Sequence, residues 1–193
     1  MQKVACLIHA FTDKEPFGLE IVETYRRAAV EAGFTIHFVN VFSLNFDPFT
    51  YVRNVGEELE PDLKQVVKYI QSARQLVICV PVHRAYIPSV SQAFFNKIFQ
   101  TDSLGRPSVQ VWGNYPDLHL KTARIISLLD HYSWKEFQIE RTARYHPLKK
   151  SVLEVLGFSK VYTTTIPPQY KNGSPDYHDK WIRKIEGLGE KIF

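Results

Sequence analysis

The sequence predicts an α/β fold in which a parallel sheet is covered by helices on both faces. Two observations predict it. Short apolar runs alternate along the chain with segments whose apolar residues repeat at helical spacing. The run at residues 76–80, LVICV, is apolar throughout, as is typical of a strand buried on both faces. A chain of 193 residues is long enough for one substantial core, so we expect a single domain over residues 1–193.

The first half of the chain is expected to contain three strands and three helices. Gly33 would end the first helix, and Pro88 would open the third, where its missing N–H costs nothing. Pro81 would end the third strand, which leaves residues 82–87 as a loop where ligands commonly bind. The elements are, in order, a strand at 4–9, a helix at 16–32, a strand at 34–41, a helix within 59–70, a strand from 75 and a helix at 88–99. Apolar residues at helical spacing indicate the first two helices: Leu19, Val22, Tyr25 and Ala29, then Leu59, Leu63, Val66, Val67 and Ile70.

Two long connections distinguish the second half. Residues 101–119 are expected to be irregular, and their aromatic residues Trp112 and Tyr115 suit a contact between subunits. Residues 130–146 form the second connection. The remaining elements are a strand at 122–128, a helix at 147–156 ended by Gly157, a strand at 160–166 and a last helix marked by Trp181, Ile185, Leu188 and Ile192.

Composition and charge narrow the class of protein. The net charge of +4 is mildly basic, which by itself only weakly suggests a nucleic-acid partner. Cys6 and Cys79 lie in predicted strands and suit core positions in a reducing compartment; they are not spaced as metal ligands, so no metal is expected. His37 and His178 are expected to lie away from the ligand-binding edge. With neither a membrane span nor a signal peptide in the sequence, we expect a cytoplasmic protein with no membrane or nucleic-acid partner.

Four segments are similar to those of one known family. Residues 81–99, PVHRAYIPSVSQAFFNKIF, share two prolines, the apolar positions and the final KIF with a segment of the flavodoxin-like NAD(P)H:quinone oxidoreductases, which include drug-modulator and flavin-reductase relatives. Residues 44–48 (LNFDP), 120–126 (LKTARII) and 147–158 (PLKKSVLEVLGF) resemble that family's turn after the second strand, its fourth strand and its next helix. The resemblance spans nearly the whole chain. It implies a flavodoxin-like three-layer sandwich with a five-stranded parallel sheet of order 2-1-3-4-5.

The resemblance also implies an activity. Such an enzyme would use FMN, with FAD as the alternative, and would take NAD(P)H as its co-substrate. It would pass two electrons to a quinone or a similar flat small molecule by a ping-pong mechanism, while the protein binds and orients the reactants. The family also implies a homodimer with sites at the subunit interface.

The loop after the first strand corresponds to the loop that holds the flavin phosphate in members of the family. His9 and Phe17 match the family's histidine and phenylalanine, whereas Pro16 and Gly18 replace a serine and an asparagine. The loop precedes a helix N-terminus, where amide groups favour an anion. Thr12 and Lys14 could compensate for the two lost side chains, Lys14 as a point charge. The resemblance thus implies His9, Thr12, Phe17 and Gly18 as cofactor-binding residues. An ordinary loop that has lost its phosphate is the alternative.

Residues 81–85 correspond to the second site loop. His83 and Arg84 replace aromatic residues that flank the flavin ring in the family, and backbone N–H groups of this loop meet the N5 and O4 edge of the ring. The resemblance implies that Pro81, Val82, His83, Arg84 and Ala85 bind the cofactor. His83 and Arg84 could equally bind an acidic substrate, and His83 could be an ordinary exposed loop histidine.

Residues 129–134, LDHYSW, resemble the third site loop of the family. Asp130 and Trp134 match its pattern, and the resemblance implies that Asp130 binds the cofactor. His131 and Tyr132 are the candidate catalytic residues, because donors near the pyrimidine edge stabilise an anionic reduced flavin. Packing of a long loop is the alternative role for Tyr132 and Trp134.

The departures in the first two loops leave a second class of function open. The chain could be a flavodoxin-like binding or regulatory protein whose flavin site is weakened or lost. Absorbance of the purified protein at flavin wavelengths would distinguish the two classes.

Overall fold

The five predicted strands form one parallel sheet. The computed structural model describes residues 3–49, 59–83, 87–100, 108–112, 117–129, 148–168 and 175–191. The strands are β1 (Val4–His9), β2 (Thr35–Asn40), β3 (Gln75–Val82), β4 (Thr122–Leu129) and β5 (Lys160–Ile166). Neighbouring strands are all parallel and their order is β2-β1-β3-β4-β5, which confirms the predicted flavodoxin-like topology.

Helices cover both faces of this sheet. They are α1 (Pro16–Glu31), α2 (Pro61–Ser72), α3 (Ser89–Ile98), α4 (Val109–Trp112) and α5 (Pro175–Glu190). Because successive strand residues point to opposite faces, Leu7 and Val77 share a core with α1 and α5, whereas Ile8 and Ile78 share one with α2 and α3. The described part of the chain contains no helix that is both long and apolar enough to cross a membrane.

Helices α1 and α5 approach each other closely on one face. A Cβ atom on Gly189 would lie 2.7 Å from the carbonyl oxygen of Tyr25 and 2.9 Å from the Cβ of Ala28, so only glycine allows this contact. Most of the predicted apolar face of α1 is buried, although Leu19 is only half-buried. Gly33 follows α1 with a φ of 84°, a left-handed conformation that suits the predicted helix end.

Strand β3 continues through Pro81, so the prediction that this proline ends the strand was wrong. The carbonyl of Cys79 accepts a hydrogen bond from the amide of Ala10, which places the Cys79 backbone on the β1 side. Backbone groups alternate between the two sides of a strand, so the nitrogen of Pro81 also faces β1. Since β1 ends at His9, the missing donor falls where the ladder has already stopped.

Part of residues 101–119 is regular, contrary to the prediction. They contain α4, and a 3₁₀ turn at Leu118–Leu120 begins at their end. Trp112 is 2 % exposed and stacks on Phe99 with ring centroids 6.2 Å apart, so its side chain is buried within the protomer and not available for the predicted subunit contact. Tyr115 lies outside the described residues.

A π-helical turn at Lys149–Leu153 replaces most of the predicted fourth helix. Gly157, with a φ of 93°, follows this turn.

The two cysteines are free and buried. Burial raises the pKa of the Cys6 thiol to about 12 and also raises the pKa of Cys79. Neither thiol is therefore suited to act as a nucleophile at neutral pH.

Candidate functional site

A cleft of about 350 Å³ lies at the carboxyl ends of β1 and β3. This is the point at which the strand order reverses, where ligands of open α/β sheets bind. The structure brings together there two of the predicted site residues, Thr12 and His83, which belong to different loops. The residues lining the cleft are Thr12, Lys14, Glu15, Phe42, His83, Pro88, Ser89 and Val90.

The loop after β1 is closed by hydrogen bonds between Thr12 and Glu15. The amide of Thr12 donates to Oε2 of Glu15 over 2.9 Å, and the Thr12 hydroxyl reaches the same oxygen over 3.1 Å. In return, the amide of Glu15 donates to the carbonyl of Thr12 over 3.0 Å. Both donors of Thr12, a residue that was expected to meet a phosphate, therefore bind a carboxylate of the chain itself.

Gly18 packs against Phe11 beneath this loop. A Cβ on Gly18 would lie 2.5 Å from Cδ1 of the Phe11 ring, which is itself 2 % exposed. Glycine at position 18 thus has a packing reason, because the ring of Phe11 takes the space that a side chain would need. Gly18 is buried and does not line the cleft.

His9 ends β1 as a buried residue. Its ring packs against Phe38, with centroids 5.2 Å apart, and its Nδ1 has no hydrogen-bond partner among the described residues. Burial lowers the pKa of His9 below 6.5, which favours the neutral imidazole at neutral pH. His9 does not line the cleft, so a direct contact with a ligand there stays a prediction.

Phe17 lies at the start of α1 and contacts His178 of α5. Their ring centroids are 5.0 Å apart, and Nε2 of His178 lies 2.8 Å from a carboxylate oxygen of Glu20. Neither Phe17 nor His178 lines the cleft, so the expectation that His178 lies away from the ligand-binding edge stays a prediction. The hydrogen bond with Glu20 raises the pKa of His178; slight burial opposes this effect and Asp179 adds to it.

The end of β3 separates the predicted residues of the second loop. Pro81 and Val82 are buried and pair with Leu128 and Leu129 of β4, whereas His83 is exposed and lines the cleft. Arg84 and Ala85 lie outside the described residues. The candidate residues of the third loop, Asp130, His131 and Tyr132, also lie outside them.

Several residues of the cleft were not predicted from the sequence. Phe42 stands in a 3₁₀ turn directly after β2 and is 41 % exposed, which leaves an aromatic face open at the site. Ser89 and Val90 come from the first turn of α3. The position of Phe42 just after a strand that neighbours the switch point could have identified it. Across the described segments, the structure shows no cluster of three or more His, Cys, Asp or Glu residues able to hold a metal.

Comparison with solved structures finds the same fold in several reductases. The chain superposes on an NAD(P)H:quinone oxidoreductase from Methanothermobacter marburgensis with a TM-score of 0.75 at 15% identity, covering 98% of this chain and 96% of that one. An FMN-dependent NADH-azoreductase from Bacillus anthracis, solved with FMN, gives 0.67 at 13% identity, with 97% and 98% covered. An NADH:FMN oxidoreductase in its apo form gives 0.63 at 14% identity, with 98% and 89% covered.

These likenesses extend over almost the full length of the chain, and at such identities they establish the fold. No protein-family model and no curated protein matches the sequence. The resemblance to the flavodoxin-like reductases, first indicated by four short segments, is thus confirmed in the architecture of the whole described chain.

Proposed function

We propose that the protein is a flavin-dependent NAD(P)H oxidoreductase that passes two electrons to a quinone or a similar flat acceptor. The observation that supports this most is the position of the cleft, which opens at the switch point between β1 and β3. Its lining combines polar donors with apolar surface, as small-molecule sites usually do. Solved structures that share this fold include a quinone oxidoreductase and an azoreductase that binds FMN.

The residues around the cleft fit a flavin in two respects. Thr12 offers an amide and a hydroxyl donor, and Lys14 adds a positive charge, which together suit a phosphate once the Glu15 carboxylate moves aside. Phe42, with Pro88 and Val90, offers apolar surface for a flat ring system. FMN is accordingly the proposed cofactor and FAD the alternative.

The roles of the individual side chains follow from their loops. A bound flavin would supply the two-electron redox chemistry. NAD(P)H and the acceptor would use one stacking surface in turn, which is the basis of the ping-pong proposal. His131 and Tyr132 are proposed to donate hydrogen bonds near the reacting centre, while His83 and Arg84 select the acceptor; Asp130 completes the third loop.

Equilibrium dialysis with FMN and with FAD tests the proposal directly. We expect saturable binding of at least one flavin and quinone-dependent oxidation of NADH or NADPH by the loaded protein. Reciprocal plots at several acceptor concentrations should be parallel, as ping-pong kinetics require. If neither flavin binds saturably, the oxidoreductase proposal fails.

A regulatory or binding role is the second candidate. The contact of Glu15 with both Thr12 donors favours it, because an internal carboxylate already satisfies the groups that a phosphate would need. In that case the protein would purify without flavin absorbance and would not oxidise NAD(P)H. The same dialysis experiment therefore decides between the two functions.

The quaternary structure and location are part of the proposal. We infer a homodimer, which the resemblance to the reductase family implies, and a cytoplasmic location, which suits the two buried free cysteines. Sedimentation at micromolar concentration should give twice the chain mass of 22.4 kDa. A monomer both with and without flavin would contradict the dimer while leaving the redox proposal open to its own test.

A further inference from the structure

Within the described part of the cleft, the Thr12 donors bind one anionic group, the carboxylate of Glu15. Both the amide and the hydroxyl of Thr12 point to a single oxygen, Oε2. Glu15 also precedes Pro16 at the first position of α1 and makes no side-chain hydrogen bond to the amides of that helix. Its side chain is thus turned back toward the loop, and Glu15 lines the cleft beside Thr12.

We propose that Glu15 determines specificity by lowering the affinity of the cleft for phosphorylated flavins relative to riboflavin. This inference rests on the proposed flavin-dependent function. A flavin phosphate and the Glu15 carboxylate need the same two donors, and both are negatively charged. Entry of the phosphate therefore requires Glu15 to lose two hydrogen bonds and still leaves two like charges close together.

Lys14, the other charged residue that lines the cleft, does not remove the competition between Glu15 and a phosphate for the Thr12 donors. Lys14 is exposed, and a hydrated ammonium on a flexible stem is a weak partner for a phosphate unless it is held in place. The ring system is treated differently, since Phe42, Pro88 and Val90 present apolar surface that a carboxylate does not affect. Glu15 consequently acts on the phosphate of a flavin and leaves the affinity for its ring unchanged.

The chain offers a closely matched control. Asp13 stands in the same turn, is exposed and does not line the cleft. Asp13→Asn changes the net charge of the protein by the same amount as Glu15→Gln, yet leaves the contact between Glu15 and Thr12 in place. Glu15→Ala removes both the charge and the hydrogen-bond acceptor. Comparison of the three variants separates general electrostatics from occupation of the Thr12 donors.

The experiment is a fluorescence titration of FMN and of riboflavin into the full-length protein and its variants. For the wild type we expect FMN to bind no more tightly than riboflavin. Glu15→Gln and Glu15→Ala should strengthen FMN binding by about tenfold or more, while changing riboflavin binding less than about twofold. Asp13→Asn should change FMN binding by less than about threefold.

The possible failures have different meanings. Equal effects of the Asp13 and Glu15 variants would overturn the role of Glu15, as would wild-type protein that binds FMN tenfold more tightly than riboflavin. Retained secondary structure by circular dichroism confirms that the variants are folded. If neither flavin binds to the wild type or to any variant, the proposed function itself is refuted, and this inference falls with it.

Discussion

The ring of Phe11 occupies the space directly above the backbone of Gly18. A Cβ atom at Gly18 would lie 2.5 Å from Cδ1 and 2.6 Å from Cγ of that ring. Phe11 belongs to the loop after β1, whereas Gly18 belongs to the first turn of α1, so the contact joins this loop to the helix that follows it. The glycine is required by packing and not by an unusual backbone conformation.

Gly18→Ala should therefore destabilise the protein by about 1–3 kcal/mol, because the added methyl group forces a buried ring to move. The free energy of unfolding in urea measures this effect. Gly187→Ala is the control, since a Cβ there would meet nothing within 4 Å and alanine is the better helix former. If the loss of stability comes from a clash with the Phe11 ring, the double variant Gly18→Ala, Phe11→Leu should lose less stability than the two single variants lose together.

An ion pair between Lys97 and Glu60 joins α3 to the start of α2. Lys97 has a side chain that is 5 % exposed, and Glu60 also accepts a hydrogen bond from the amide of Asp47 over 3.2 Å. Burial raises the pKa of Glu60, but the hydrogen bonds from Lys97 and from backbone amides outweigh it and hold the pKa below 4.5. The pair is thus stabilising where Glu60 is ionised.

Lys97→Met should reduce stability by about 2 kcal/mol near neutral pH, less than for a fully buried pair because Glu60 is partly exposed to solvent. The folded-state pKa of Glu60 is lowered, so the contribution of the pair is complete above about pH 4.5 and is lost as the pH falls through the lower folded value. Urea unfolding at about pH 7 and about pH 3 measures both values. The difference between wild type and variant should shrink at the lower pH.

Lys68→Met provides the comparison for that experiment. Lys68 is exposed on α2, so its replacement should change stability by less than about 0.5 kcal/mol at either pH. A Lys97→Met effect that is equally large at both values of pH would show that lost packing, and not the charge of Glu60, is responsible.

The strands could be predicted closely from two kinds of pattern: β1 and β3 are almost continuous apolar runs, whereas β5 (KVYTTTI) is rich in β-branched residues. The predicted limits of β5 agree with the structure at both ends, and Gly33 and Gly157 stand where helical segments end. The prediction was wrong at Pro81. A proline interrupts a ladder only where a neighbouring strand offers an acceptor for the N–H that proline lacks. Whether a residue of β1 lies opposite Pro81 depends on the register between the two strands. The sequence of one strand alone does not determine this register.

The candidate site was predictable in position but less so in detail. Its place at the ends of β1 and β3 follows from the fold, and His83 and Thr12 follow from their loops. The contacts of Glu15 with Thr12 and of Phe11 with Gly18 depend on how a loop folds back on itself. Phe42 belongs to the cleft only because β2 lies beside β1, a relationship across the sheet that periodicity along the chain does not reveal.

A link between His178 and Glu20 ties α5 to α1, and it should respond to pH. The hydrogen bond with Glu20 raises the pKa of His178 above 6.5. The stabilisation from this pair is therefore complete below about pH 6.5 and is lost as the pH rises through the higher folded value. NMR titration of the imidazole C–H signals should give a raised pKa in the wild type and a lower one in Glu20→Gln, with a residual rise from Asp179.

Glu31→Gln is a suitable control for the titration. Glu31 is exposed on the same helix, about 16 Å further along its axis, and should leave the pKa of His178 unchanged. Both side chains of the pair are substantially exposed, so the stability effect of Glu20→Gln should stay below about 1 kcal/mol. An equal pKa in wild type and Glu20→Gln would contradict the contact.

Variants in the loops of the site should separate the roles proposed for their side chains. Replacing His131 or Tyr132 with Phe should slow reduction of the bound flavin by NAD(P)H about tenfold or more, the scale of one lost stabilising donor. His83→Ala and Arg84→Ala should instead alter oxidation by the acceptor and leave the reductive half nearly unchanged, because these residues are proposed to select the acceptor. His119→Ala is the control: His119 precedes β4, at the opposite edge of the sheet from the cleft, and should change neither rate. Stopped-flow absorbance resolves the two half-reactions, and wild-type rates in both halves for all four site variants would show that these side chains do not act as proposed.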